Sequence, residues 1–98
     1  MEDPFVFKVL DISTGHMEQR DAELLDKWHS SGSLLIPPTY VLAEYGYLVY
    51  CRGPREAETN ELSQAVQTIL AWARSLGCDY VRFDRDGRQY DGLPIFDW

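Results

Sequence analysis

The chain has 98 residues, and 16 Asp and Glu against nine Lys and Arg leave it a formal net charge of −7. A chain of this length holds one domain, residues 1–98, with a single thin core, which excludes a nucleotide-binding domain joined to a substrate domain. The acidic balance without a basic run disfavours direct binding to nucleic acid, and no apolar run approaches the roughly 20 residues of a membrane span.

Phe5 to Ile12 opens the chain as a strand with apolar residues on both faces (Phe5, Phe7 and Val9; Val6, Leu10 and Ile12), which predicts a central position in a sheet. Ser13-Thr14-Gly15-His16 supplies a turn and a helix cap, and the stripe Met17, Leu24, Leu25, Trp28 predicts a helix from about Met17 to His29, ended by Ser30-Ser31-Gly32. Pro37-Pro38 makes any strand over Ser33–Leu42 irregular or peripheral. Tyr45–Arg52, reached through a turn at Ala43-Glu44-Tyr45-Gly46, reads as the second arm of a hairpin.

After Gly53-Pro54, Thr59 or Asn60 is positioned to cap a helix running to about Leu76 on the stripe Leu62, Val66, Ile69, Leu70, Ala73, Leu76, with Gly77 as its left-handed C-terminal cap. Cys78–Arg85 is the last strand, with Val81 and Phe83 on one face and Tyr80, Arg82 and Asp84 on the other; Asp86-Gly87 turns it. The order β-α-β-β-α-β predicts an α+β fold: a two-layer, ferredoxin-like sandwich of an antiparallel sheet with two helices on one face, a permuted form being the competing arrangement. The tail Leu93-Pro94-Ile95-Phe96-Asp97-Trp98 is too apolar to fray and is expected across the open sheet face or beside an edge strand.

Charge is uneven. Residues 1–26 hold seven acids and two bases, a net −5 of the −7. Glu18, Glu23 and Asp26, which lie off the helix stripe, with Asp86 and Asp91, form a candidate acidic surface for a partner protein with a basic face. Asp11, Ser13, Thr14 and His16 gather where the first strand gives way to the first helix. If the last strand lies beside the first, Asp84 or Asp86 comes near His16, giving a candidate ligand site or a metal-assisted hydrolase built on Asp11, His16, Asp84 and Asp86. The capping role of Ser13 and Thr14 stands against that reading. Neither a metal nor a cofactor is expected: Cys51, Cys78, His16 and His29 lack the paired spacing of a zinc site, and Asp84–Asp91 fails as a calcium loop because Gln89 stands where glycine is needed. Cys51 and Cys78 are expected as buried thiols, and the absence of a basic start at Met1–Pro4 suits a cytoplasmic protein.

Ser13-Thr14-Gly15-His16, Glu44–Tyr50, Ala73–Gly87 and Leu93–Trp98 together resemble a family of small bacterial proteins carried on phages, plasmids and integrative elements. The resemblance implies no activity, cofactor or catalytic residue. It implies a setting in which short acidic proteins bind and block host machinery. The expected function is a non-enzymatic interaction module that inhibits a nucleic-acid-handling defence complex of the host, of anti-CRISPR or anti-restriction type.

Overall fold

Buried apolar side chains recur on alternate residues of three strands and at helical spacing on two helices, and these faces meet in one core. The structure, a computed structural model, describes residues 6–31, 39–41, 46–51 and 61–97, without the side chains of Trp28, Ser31 and 39–41. In chain order the elements are β1 (Val9–Ser13), a 3-10 turn (Thr14–His16), α1 (Gln19–Ser31), β2 (Thr39–Val41), β3 (Gly46–Tyr50), α2 (Gln64–Ser75) and β4 (Tyr80–Asp84). The expected burial of Trp28, the Pro37-Pro38 interruption, the turn before Gly46 and the break at Gly53-Pro54 lie outside the described residues.

The four strands form one mixed sheet in the order β1-β4-β3-β2. β1 runs parallel to β4, while β3 is antiparallel to both β4 and β2. This α+β architecture keeps the predicted element order but departs from the expected sheet. A ferredoxin-like sheet is antiparallel throughout and seats its first strand between the third and fourth. Here β1 is an edge and β4 takes the inner position. On the inner face both strands are buried, Leu10 and Ile12 of β1 like Val81 and Phe83 of β4, but on the other face Phe7 and Val9 remain 56% and 42% exposed, so the apolar residues there do not mark a central strand. The apolar residues on the second face of β1 thus line an exposed sheet surface, with no second layer over them among the described residues.

On the inner face the register aligns Leu10 with Val81 and Val49, and Ile12 with Phe83 and Tyr47. Ala22 and Leu25 of α1 and Val66, Ile69, Leu70 and Ala73 of α2 join the same core, as do Met17, Leu62, Cys51 and Cys78. Both cysteines are buried thiols. The α2 stripe matches the sequence pattern except at its ends: Leu62 is buried ahead of the helix, and Leu76 is 43% exposed. The helix begins at Gln64, not after Thr59 or Asn60, because the Ser63 hydroxyl accepts the Val66 N–H at 3.3 Å. It ends as predicted at Gly77 (φ +80°), with Gly77 N–H on Arg74 O at 3.0 Å and Cys78 N–H on Ala73 O at 2.9 Å, the two bonds of a Schellman motif.

The starts of the two helices are joined by one buried carboxylate. Asp21, inaccessible to solvent, accepts the Glu18 N–H at 2.8 Å, so it caps its own helix from within. It also accepts the Ser63 N–H at 2.7 Å and the Ser63 hydroxyl at 2.6 Å. The Asp21 anion therefore sits at the positive ends of α1 and α2 together. Replacing it with Asn leaves one amide group presenting N–H to a donor. Asp21→Asn is expected to cost on the order of 3 kcal/mol, more than Ser63→Ala, in chemical denaturation. Equal, sub-kilocalorie losses would contradict the junction.

Candidate functional site

The corner where β1 passes into the 3-10 turn is crossed by residues 87–96. The Ser13 N–H donates to Arg88 O at 2.9 Å, and the Phe96 N–H donates to Gly15 O at 2.7 Å. The Tyr90 hydroxyl reaches Asp11 O at 3.3 Å. Gly87 lets the chain pass at close range: a Cβ there would lie 2.4 Å from Ile12 O. Residues 88–90 thus lie beside the edge strand β1, whereas the tail from Leu93 runs over the 3-10 turn toward α2 and not across the open sheet face or along an edge strand as expected. Leu93 and Tyr90 pack against the core, and Trp72 meets Tyr90 edge to face at 5.2 Å.

His16 holds this crossing. It is fully buried. Its Nε2 accepts the Tyr90 N–H at 2.9 Å, so the ring proton sits on Nδ1, which donates to Pro94 O at 2.7 Å. Both nitrogens are thereby engaged by the backbone of the tail. Ser13 is also buried, and its hydroxyl accepts the Gly15 N–H at 3.0 Å; Thr14 O accepts the Met17 N–H at 3.1 Å. Asp11 lies on the open sheet face, bonded to Arg82 Nε at 2.9 Å, and this bond with the Asp11 charge raises the Arg82 pKa further above its ordinary value. Asp84 receives the Asp86 N–H at 2.8 Å in the turn after β4. β4 does lie beside β1, but the hydrogen bonds of His16 run to Tyr90 and Pro94 and not to Asp84 or Asp86. The bonds of Asp11, Ser13, His16 and Asp84 run to Arg82, to Gly15, to the Tyr90 and Pro94 backbone and to Asp86, and none of these bonds joins two of the candidates Asp11, Ser13, Thr14, His16 and Asp84. Among the described residues no group of three or more His, Cys, Asp or Glu side chains could hold a metal ion.

The five acidic candidates sit on three segments. Glu18 is half-buried ahead of α1 and lies 3.5 Å from Arg20 Nε. Glu23 and Asp26 are exposed on α1, and Asp86 and Asp91 on the C-terminal segment. Asp26 accepts the Tyr47 hydroxyl at 3.0 Å. Burial of Tyr47, this hydrogen bond and the nearby Asp26 charge push the phenol up to about 12.

Two surface features escaped the sequence reading. Phe7, Tyr80 and Tyr50 form an edge-to-face row on the open sheet, with ring centroids 5.7 and 5.2 Å apart. The alternation Tyr80, Arg82, Asp84 marked that face, but nothing in sequence brought Tyr50 and Phe7 beside it. The second is a groove of about 420 Å³ between α2 (Ala65, Thr68) and the tail (Leu93, Pro94, Phe96), with Glu18 at its border. It depends on the path of the tail, which His16 sets.

The chain belongs to the family of unknown function DUF5983, whose C-terminal domain model matches residues 9–98. Neither the curated proteins nor the solved structures gave a match to it. No helix among the described residues is long and apolar enough to cross a membrane.

Two outcomes follow from this geometry. His16→Ala removes both tail bonds and should lower stability by about 2–3 kcal/mol while making the peptide bond after Phe96 susceptible to chymotrypsin; a variant as stable and as resistant as the parent would show that His16 does not hold the tail. For Tyr47, a folded-state pKa raised from 10.0 to about 12 means that the contribution is fully present below pH 10 and lost as the pH climbs toward 12. In an ultraviolet titration Asp26→Asn should bring the last tyrosine to ionise down toward the others. An unchanged profile would contradict the pairing.

Proposed function

We propose that this chain is a non-enzymatic interaction module that docks through carboxylates on a basic protein surface, of the kind that nucleic-acid-handling complexes present. On this proposal it is carried on a mobile element and blocks a defence complex of the host. The observation that supports the reading is the unequal use of charge. Five of the cations are engaged within the fold: Lys8 Nζ on Leu76 O at 2.6 Å, Arg74 on Cys51 O at 3.2 Å, Arg82 on Asp11, Arg20 on Glu61 O at 3.1 Å, and Arg88 over the Tyr90 ring at 5.0 Å, while Lys27 is exposed on α1 and Arg85 lies 3.9 Å from Asp86. Glu23 and Asp91 are exposed and make no ion pair among the described residues. A net charge of −7 with unpaired outward carboxylates steers toward positive partners. At the β1 corner, by contrast, the side chains of His16, Ser13 and Asp11 are engaged within the fold by the C-terminal segment, Gly15 and Arg82.

Glu23, Asp86 and Asp91 are the positions at which to test this, since Asp21 and Asp26 also support the fold. A Glu23→Lys, Asp86→Lys, Asp91→Lys variant should keep the parent's circular dichroism. It should associate about tenfold or more slowly with a partner captured from a bacterial lysate at low salt, with the gap closing as salt rises. Parent-like association at both salt concentrations would refute the reading.

A further inference from the structure

The groove between α2 and the tail defines a more specific partner chemistry. We propose that it receives an apolar side chain of an extended basic peptide segment; this rests on the interaction reading above and names the feature of the partner that is recognised. The tail wall, Leu93, Pro94 and Phe96, is apolar, and the α2 wall combines Ala65 with the polar Gln64 and Thr68. The volume, about 420 Å³, falls within the ~300–1,000 Å³ of ordinary ligand sites.

Glu18 is the acid that lines the groove, and Asp91 and Asp97, both exposed, adjoin its wall in sequence, one before Gly92 and the other after Phe96. Arg20 Nε lies 3.5 Å from Glu18 and its Nη1 donates to Glu61 O, so the Glu18 charge is partly offset, and Asp91 and Asp97 carry the negative charge without an ion pair among the described residues. A helix N-terminus ordinarily favours anions, which would oppose a basic ligand here. In α2 that preference is already met internally, because Ser63 accepts the Val66 N–H and Asp21 accepts the Ser63 N–H. What remains is an apolar slot with a negative border, complementary to a leucine or similar side chain flanked by Lys or Arg. A phosphate backbone or an anionic lipid surface would meet repulsion at the same border.

The test uses the full chain and two synthetic peptides of equal charge, each with two arginines on either side of a central residue, leucine in one and serine in the other. The leucine peptide should bind about tenfold more tightly. It should move the amide resonances of Ala65, Thr68, Gly92 and Leu93. Thr68→Arg, at an exposed position lining the groove, should remove the preference for leucine while leaving the fold intact, and Glu18→Gln should weaken binding of both peptides severalfold. Equal binding of the two peptides, binding of neither, or shifts confined to other surfaces would overturn the groove assignment. The charge-reversal variant separates this from the broader reading. If it loses the captured partner while the peptides do not distinguish leucine from serine, the acidic interaction stands and only the groove is wrong.

Discussion

A carboxylate removed from water needs its acceptor sites filled, and Asp21 meets that requirement with three donors drawn from two helices: the Glu18 N–H, the Ser63 N–H and the Ser63 hydroxyl. The consequence is geometric. The first turns of α1 and α2 must converge on one point, and their apolar stripes are then both presented to Leu10, Ile12, Val81, Phe83 and Val49 on one face of the sheet. Because α2 leads directly into β4 through the Gly77 cap, the same junction helps to position β4 between β1 and β3. Asp21 and Ser63 are 42 residues apart in sequence, so the contact links two halves of the chain that local propensity alone would leave independent.

His16 does for the C-terminal segment what Asp21 does for the helices. Its two ring nitrogens answer one backbone donor and one backbone acceptor, so the ring fits the tail in a single tautomer and orientation. Hydrogen bonds from Ser13 to Arg88 O and from Phe96 to Gly15 O continue the attachment on either side. Arg88 and Tyr90, just ahead of the tail, in turn cover part of the free edge of β1, where unpaired backbone groups would otherwise invite pairing with another chain. Of the residues singled out at the β1 corner, His16 is engaged by the C-terminal segment, while Ser13 caps the 3-10 turn and Asp11 pairs with Arg82 across the sheet.

The α2 stripe, the Gly77 cap, β4 and the order of elements were legible in the sequence because each rests on a local period or a local backbone requirement. The sheet order was not. Two apolar faces on β1 suggested a buried central strand, whereas Phe7 and Val9 belong to an open surface, and only the pairing with β4 reveals it. Asp21 was indistinguishable from its neighbours in an acidic stretch, since nothing within α1 marks which carboxylate will meet Ser63. His16 was singled out with good reason, being the one imidazole at a strand-to-helix corner, but the groups that occupy it come from residues 74 and 78 positions away. The start of α2 was misplaced for a related reason: Asn60 and Ser63 are both competent caps, and the choice is made by Asp21 from the other helix.

The account stands on the claim that these two buried polar side chains bind the helix starts and the tail into the same cooperative unit as the core. Native-state hydrogen exchange measures this directly at the amides of Glu18, Ser63, Tyr90 and Phe96. Protection close to that of Val81 in the middle of β4 is the predicted result. Exchange of the Glu18 and Ser63 amides, or of the Tyr90 and Phe96 amides, at the rate of an exposed chain while Val81 stays protected would contradict it.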